Sequence, residues 1–282
     1  MNSPTVSPSQ VPVGVDPNRP SIARVYGGFL GGKTVYEVDR QVMKKINAAV
    51  PEAVDIARGN RGFLNRACRF LTVQAGIDQY LDCGSGLPAA ENTHEIVQRN
   101  NEEARVVYID NDPVVLAHGR ALLESNDNVH MVSADIFRPT EVLENEMVRR
   151  SIDFSRPVVL LQVGTLHHLE GEGGPAVMKQ YIDALAPGSY VVFSHFFDPQ
   201  VPELSEIARR IESILVNGPM GAGRFRTRPE IMEMLDGLEL IKPNATAEPD
   251  LAPCDDWWPD GPRLTPLSKA AQCIVGAVGR KP

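Results

Sequence analysis

A glycine-rich turn is the clearest site for chemistry in this sequence. An apolar run over residues 79–83 is followed by Gly84-Ser85-Gly86 and by Pro88, which suits the first turn of a helix. Glycine can adopt positive φ and lets the backbone contact a ligand. The helix predicted to follow would offer free N–H groups and a positive dipole end to an anionic group. The turn is therefore predicted to bind a nucleotide-like ligand.

Carboxylates stand at the ends of three successive apolar runs. Asp82 lies two residues before the first glycine, Asp110 ends the next run, and Asp135 follows the third. An acid in the place of Asp110, with its neighbour Asn111, typically accepts hydrogen bonds from a ribose diol. Asp135, with Ile136 beside it, is placed to meet an adenine amino group. One such aspartate is often only a turn or cap residue, but three in succession predict an adenosine pocket.

Two classes of ligand share this motif. Residues 84–89 also fit the G-x-G-x-x-G/A fingerprint of dinucleotide-binding proteins, so an NAD-dependent oxidoreductase is an alternative. Three features favour S-adenosylmethionine. Asp82 would meet the methionyl ammonium of that ligand but would repel a pyrophosphate, and Asp135 adds a further acid. The last two apolar runs, over 238–242 and 272–278, have no obvious crossover helix between them and look like an antiparallel pair.

Histidines are the candidates for catalysis. Methyl transfer from a sulfonium is an in-line displacement, so the protein mainly positions the nucleophile and excludes water. His167 and His168 follow the fourth apolar run, and His195 ends the fifth. Because strand carboxyl ends face the ligand crevice in such sheets, His168 and His195 are predicted as a base or an acceptor contact. The alternative for each is a satisfied core histidine.

Two other groups allow a functional and a structural interpretation. Either Trp257 or Trp258 lines the acceptor pocket, or the pair pins a loop onto the body of the protein. A basic helix near the N-terminus is most simply a solvated face, although its second arginine could adjoin the pocket. Its arginines are Arg58, Arg61, Arg66 and Arg69.

These residues require a sheet whose strand ends converge, and the hydrophobic pattern predicts one. Seven short apolar runs lie over 79–83, 105–110, 129–134, 157–163, 189–195, 238–242 and 272–278. Helical or polar segments separate the first five, which is typical of a parallel sheet covered on both faces. The predicted fold is α/β, a doubly wound, Rossmann-like sheet of seven strands.

The predicted organisation is a disordered leader followed by a single domain. Residues 1–20 contain five prolines and form the leader, and the domain covers 21–282. Within the domain we expect a helical N-terminal extension, a cofactor-binding core and a part with insertions after the fifth and sixth strands and antiparallel strands. Their bounds are 21–76, 77–195 and 196–282. Helices are predicted over 35–50, 54–73, 203–216 and 228–236, the last opened by a capping box at Thr227 and Glu230.

The composition of the chain limits the classes of molecule that it is expected to bind. The formal net charge is −8, which argues against nucleic acid and anionic membrane as partners and leaves a small-molecule acceptor. No apolar run reaches the roughly 18 residues of a membrane span, and the first twenty residues lack the features of a signal peptide, so a cytoplasmic location is expected. The four cysteines form no C-x-x-C pair, so neither a metal site nor disulfides are predicted.

A second glycine-rich segment matches another motif. Gly27 and Gly32-Lys33-Thr34 fit G-x-x-x-x-G-K-[ST], the phosphate-binding loop of nucleotide triphosphatases. That loop needs a preceding apolar strand, whereas this segment follows a short, interrupted run. We favour a lid over the cofactor that includes Tyr26, and a surface turn leading into a helix is the alternative.

The sequence resembles an actinobacterial family of S-adenosylmethionine-dependent methyltransferases long classified as a domain of unknown function. The resemblance runs from about residue 19 to 281. Its motifs are ARVY (23–26), LGGK (30–33), ARGNRGFL (57–64), QYLDCGSGLP (79–88), HE (94–95), RVVYIDNDPVVLAH (105–118) and PGSYVVFSH (187–195). The family usually has acids after ARVY and LGGK, where this chain has Gly27 and Thr34, so any role of those acids does not carry over.

The resemblance implies a class I methyltransferase fold and the cofactor roles of Asp82, Gly84, Gly86 and Asp110, but no acceptor. The predicted function is methyl transfer from S-adenosylmethionine, with S-adenosylhomocysteine as product, to a small molecule. A non-catalytic protein that binds S-adenosylmethionine as a sensor is the first alternative, because its cofactor residues would be the same. An NAD-dependent oxidoreductase and a phosphate-loop nucleotide-binding protein follow.

Overall fold

A computed structural model describes residues 14–88, 91–123 and 126–282. Residues 1–13 of the predicted leader lie outside the described residues. The helices are α1 (Ile22–Phe29), α2 (Glu37–Ala49), α3 (Ala53–Val73), α4 (Thr93–Gln98), α5 (Pro113–Leu123), α6 (Pro139–Leu143), α7 (Glu146–Ser151), α8 (Gly174–Ala184), α9 (Pro202–Val216) and α10 (Arg228–Met234). The strands are β1 (Gln79–Cys83), β2 (Arg105–Asp110), β3 (Val129–Ser133), β4 (Val159–Val163), β5 (Tyr190–Phe196), β6 (Glu239–Leu240), β7 (Ala252–Pro253) and β8 (Ile274–Arg280).

The strands form one sheet in the order β3-β2-β1-β4-β5-β8-β6, with β7 also paired to β8. The first five strands are parallel, and β8 runs antiparallel to β5 and to β6. This topology confirms the predicted α/β sheet and its antiparallel final pair. The eighth strand was not predicted, because two residues of β7 inside a proline-rich connection give no hydrophobic period.

Both faces of the sheet are covered, as the continuous apolar runs predict. Neighbouring residues of β1 point to opposite faces, with Tyr80 in one hydrophobic core and Leu81 in the other. The first core also receives α1, α2 and α3, and the second receives α8 and α10. The parallel strands therefore end together at one edge, where loops from both faces meet.

The N-terminal helices pack closely on the sheet. A Cβ atom built on Gly276 of β8 would lie 2.8 Å from the ring of Phe63 in α3, so this helix rests directly on the strand. α1 is fixed to α2 by a buried ion pair, in which Arg24 Nε donates to Asp39 Oδ2 at 2.6 Å. The backbone amides of Ser21 and Tyr36 also donate to the Asp39 carboxylate.

The long connection after β5 contains both predicted helices. α9 and α10 match the expected ranges to within two residues, and Thr227 and Glu230 form the predicted capping box. The connection from β6 to β8 holds β7 and two short 3₁₀ turns. Over the described part of the chain, no helix combines the length and apolarity of a membrane span.

Candidate functional site

A cavity of about 380 Å³ opens at the carboxyl ends of the parallel strands. We call the strand-end residues its floor and the covering helices and the loop after α9 its roof. The floor comprises Asp82, Gly84, Ser85, Gly86, Asp110, Asn111, Asp112, Asp135, Ile136 and Phe137. The roof includes Val25, Tyr26, Phe29, Ile46, Ile56, Asn60, Leu64, Ile211, Leu215 and Met220. Every predicted cofactor residue lines this cavity, including Tyr26.

The glycine turn has the backbone conformation that its residues predict. Gly84 and Gly86 have φ of 76° and 66°, the left-handed region that favours glycine. A Cβ atom on Gly84 would lie 2.5 Å from Thr165 Cγ2, so a side chain there would collide with the loop after β4. The hydroxyl of Ser85 is buried and has no hydrogen-bond partner among the described residues. Buried polar atoms are nearly always hydrogen-bonded, so this hydroxyl calls for a partner that the described residues do not supply.

Asp110 is held in place by the backbone around it. Its Oδ2 accepts from the Gly86 amide at 2.9 Å, and its Oδ1 accepts from the Asp112 amide at 2.9 Å. Burial raises the pKa of this carboxyl, and the two amides oppose the rise. An ionised carboxylate has about four acceptor positions, so both oxygens keep capacity for the hydroxyls of a ligand.

Asp82 is the most perturbed acid of the floor. It is buried at the end of β1, and Thr93 Oγ1 donates to its Oδ2 at 2.7 Å. Burial raises its pKa to about 6, while the Thr93 bond and the charge of Arg61 lower it. The Arg61 guanidinium itself donates to the carbonyl of Glu91. A buried carboxylate near a guanidinium matches the two charges of an amino acid.

The third acid, Asp135, lines the cavity and is partly exposed. Its Oδ1 accepts from the Phe137 amide at 2.9 Å, and its Oδ2 lies 3.7 Å from Arg138 Nε. The carbonyl of the adjacent Ile136 accepts from Tyr181 Oη at 2.9 Å. Asn111 is exposed beside Asp110. These residues follow β2 and β3, so they form the end of the floor that is farthest from β4.

Tyr26 lies on α1, which places the predicted lid residue on a helix. Its hydroxyl accepts from Asn60 Nδ2 at 3.0 Å and donates to the Ala57 carbonyl at 3.4 Å. Burial raises the pKa of the phenol. Gly27 is also helical, and residues 14–78 contain helices and no strand, so the phosphate-loop interpretation fails for lack of its strand. Gly31, Gly32 and Lys33 form an exposed turn between α1 and α2.

His168 lines the cavity in a 3₁₀ turn after β4. Burial lowers its pKa to about 4, although a hydrogen bond with the Ala222 backbone opposes this shift. Its Nδ1 is buried and has no partner within the described residues. His167 also lines the cavity, with its ring stacked on Phe196 at a centroid distance of 3.6 Å.

His195 lies behind the wall of the cavity rather than on it. The side chain is fully buried, Nδ1 lies 2.7 Å from the Phe196 carbonyl oxygen, and Nε2 lies 3.5 Å from Arg226 Nη1. Burial lowers its pKa to about 3. The structure therefore does not bring His195 to a ligand, because β5 carries it into the core beneath Phe196. Its surroundings match the alternative interpretation, a core histidine whose hydrogen bonds are satisfied.

Neither the tryptophans nor two of the arginines are among the described residues that line the cavity; Arg66 bonds to buried carbonyls, and Arg69 forms an exposed ion pair. Trp257 is fully buried, edge-on to Phe63 at 5.5 Å and to Phe70 at 5.7 Å. The prediction that the arginines of α3 form a solvated face is wrong for Arg66, because its side chain donates to the carbonyls of Trp257 and Cys254. Arg69 pairs with Asp260.

Sequence reasoning overlooked several residues of the cavity. Asn60 was not singled out, and Arg61 was left unassigned, although both lie in the GNRGFL stretch that carries the resemblance. Asp112 also lines the cavity, and its Oδ1 accepts from the Val114 amide at 2.8 Å. Among the described residues, no cluster of histidine, cysteine and acidic groups could hold a metal ion.

Comparisons with known proteins agree on one family. The family model for S-adenosyl methyltransferases matches residues 8–282. A crystal structure of a candidate methyltransferase from Thermobifida fusca YX is 40% identical, with a TM-score of 0.88 over 98% of this chain and 99% of its own. A DUF574 family protein from Streptomyces avermitilis MA-4680 is 31% identical, with a TM-score of 0.86 over 95% of this chain and 99% of its own.

More distant likenesses concern the fold alone. The carbon methyltransferase CurJ is 10% identical, with a TM-score of 0.51 over 91% of this chain and 66% of its own. No curated protein matches the chain. Because the family model spans nearly the whole length, the chain belongs to the S-adenosyl methyltransferase family, and it is a methyltransferase whose cofactor is S-adenosylmethionine.

Proposed function

We propose that the protein transfers the methyl group of S-adenosylmethionine to a small molecule held between the floor and the roof of the cavity. The observation that carries this proposal is the separation of charge. Among the described residues that line the cavity, the charged groups are four carboxylates of the floor and the Arg61 guanidinium. A net negative floor suits a cationic sulfonium and would repel a pyrophosphate or a triphosphate.

The residues of the floor fit the cofactor part by part. Asp110 would accept the ribose hydroxyls, and Asp135 with Ile136 would meet the adenine. Asp82 would hold the methionyl ammonium, and Arg61 its carboxylate, because charge-assisted bonds need these signs. Ser85, unpartnered within the described residues, would gain a bond, and Gly84 and Gly86 leave room for the close approach of the ligand. When bound, the cofactor supplies an electrophilic methyl group, and the protein orients the acceptor and excludes water.

Calorimetric titration tests the cofactor site. We expect S-adenosylmethionine and S-adenosylhomocysteine to bind, and NAD and ATP not to bind. Asp110→Ala should weaken binding by roughly 100-fold or more, since it removes charge-assisted bonds of about 1.5–3 kcal/mol each. Asp183→Ala, which removes an exposed carboxylate paired with Lys179, is the matched control.

Two results would oppose the proposal in different ways. Tight binding of ATP or NAD would refute the cofactor assignment of the floor. Binding of S-adenosylmethionine without turnover on any acceptor would favour a sensor. Mass spectrometry of the reaction mixture, which detects S-adenosylhomocysteine and the methylated product together, separates the enzyme from the sensor.

A further inference from the structure

The roof differs from the floor in having a single charged side chain, Arg61, among the described residues that line the cavity. Its cavity-facing side chains come from α1, α2, α3, α9 and the loop at Met220, and apart from Tyr26, Asn60 and the inward edge of Arg61 they are aliphatic or aromatic. Arg61 is already engaged by the Glu91 carbonyl and faces the Asp82 end of the cavity. A charged acceptor held against the apolar side chains of this roof, away from Arg61 and the floor carboxylates, would lose its hydration without gaining a counter-ion, which is strongly unfavourable.

The polar atoms of the roof are already paired. Asn60 Nδ2 donates to Tyr26 Oη at 3.0 Å, and Asn60 Oδ1 accepts from the Ser194 hydroxyl. Tyr26 completes the chain by donating to the Ala57 carbonyl. Thr165, which also lines the cavity, donates to Gln162 Oε1 at 2.7 Å. These groups therefore hold the helices and strands together and offer little to a ligand.

Outside the floor, one of the described residues that line the cavity has a buried side-chain atom without a hydrogen-bond partner. It is Nδ1 of His168. The Ala222 backbone forms a hydrogen bond that favours the protonated ring, so the backbone atom is an acceptor and a ring N–H faces it. Because Nδ1 is the unpartnered nitrogen, we assign that N–H to Nε2. The neutral ring then presents a lone pair at Nδ1, which needs a donor from a ligand.

We propose that the acceptor is an uncharged, largely apolar compound with a hydroxyl group, and that this hydroxyl donates to Nδ1 of His168. The inference rests on the proposed function and specifies its substrate class. In the transfer, a lone pair of the hydroxyl oxygen forms the new O–C bond, and the electron pair of the broken C–S bond stays on sulfur. The hydroxyl proton passes to His168 Nδ1 and then to solvent, so the products are a methyl ether and S-adenosylhomocysteine.

Binding of matched probes to the protein saturated with S-adenosylhomocysteine tests this inference without turnover. The probes share one ring system: 2-naphthol, its methyl ether 2-methoxynaphthalene, the anion 2-naphthoate and the cation 2-naphthylmethylammonium. We expect 2-naphthol to bind at least tenfold more tightly than either ion, because the ions find no counter-charge. The methyl ether, which lacks the donor, should bind about tenfold more weakly than 2-naphthol.

His168→Phe supplies the second arm, because phenylalanine keeps the ring and removes the acceptor nitrogen. In this variant the preference for 2-naphthol over its methyl ether should disappear, while affinity for S-adenosylhomocysteine stays within twofold of the wild type. Unchanged cofactor affinity also shows that the variant is folded. Tightest binding of an ion, or equal binding of naphthol and ether to the wild type, would overturn the inference.

The design separates this inference from the proposed function. If S-adenosylhomocysteine binds and the probe pattern is absent, the acceptor class is wrong and the cofactor site stands. If S-adenosylhomocysteine itself does not bind, the proposed function fails first.

Discussion

The floor and the roof of the cavity are built in opposite ways. The floor is polar, and backbone amides donate hydrogen bonds to its carboxylates at Asp110 and Asp135. In two of these three bonds the donor lies only two residues after the carboxylate in the sequence. The roof is apolar and is assembled from helices far apart in the chain, with one buried ion pair between α1 and α2. The proposed cofactor site therefore depends on local backbone geometry, whereas the proposed acceptor site depends on tertiary packing.

The largest expected effect breaks the roof and spares the floor. Arg24→Met leaves the Asp39 carboxylate buried without its cation, so we expect the free energy of unfolding to fall by about 3–5 kcal/mol. Urea denaturation followed by circular dichroism measures this change. Arg40→Met, which breaks the exposed pair with Glu37, should cost less than about 0.5 kcal/mol. Equal losses in the two variants would contradict the special role of the buried pair.

The next prediction concerns Asp82 in the floor, where one substitution should raise the stability of the protein and lower its affinity for the cofactor. Asp82 has a folded pKa of about 6, above its ordinary value. Between about pH 4 and 6 the folded state keeps a proton that the unfolded state has lost, so the stability of the cofactor-free protein falls as pH rises through this window. Asp82→Asn removes the charge and should stabilise the cofactor-free protein at pH 7 by up to about 3 kcal/mol.

Binding should move the other way in the same variant. Asparagine offers no charge to the methionyl ammonium, so affinity for S-adenosylhomocysteine should fall at least tenfold. Thermal unfolding at pH 4.5 and pH 7.5 measures the first effect, and calorimetry the second. Asp183→Asn, on the exposed face of α8, should change neither quantity. A variant that is less stable at pH 7.5 would show that Asp82 serves structure rather than the ligand.

The smallest effect sharpens the boundary between the two regions. Tyr26→Phe removes a hydroxyl that joins α1 to Asn60 and Ala57 of α3, at a cost of about 1 kcal/mol in unfolding free energy. Because the phenyl ring still covers the cavity, affinity for S-adenosylhomocysteine should change by less than about fivefold. A larger loss of cofactor affinity, with stability unchanged, would mean that the hydroxyl contacts the ligand directly.

The same contrast explains what the sequence could predict. The floor follows from a continuous stretch with strong local rules, since Gly84 and Gly86 need positive φ and Asp82 and Asp110 end buried strands. Helices α2, α3, α9 and α10 likewise follow from apolar periodicity and stop signals. The parallel sheet follows from apolar runs separated by helices.

The sequence predicts only part of the roof, the lid that includes Tyr26, because the other parts are brought together only by folding. No local pattern in α9 or in the GNRGFL stretch of α3 places Leu215 and Asn60 on one cavity. The fate of His195 is also decided by packing, since a strand-end histidine faces a crevice or the core according to its register. The sequence around Trp257 likewise does not indicate that Phe63 and Phe70 pack against its ring.

The attachment of α3 has a consequence for how the chain folds. This helix, made early in synthesis, rests on Gly276 of the last strand, and its Arg66 bonds to the carbonyl of Cys254 about 190 residues later. Contacts between such distant segments must wait until the end of the chain is available, and they slow folding. A chain truncated before β8 would therefore lose the strand on which α3 rests and with it a support of the roof.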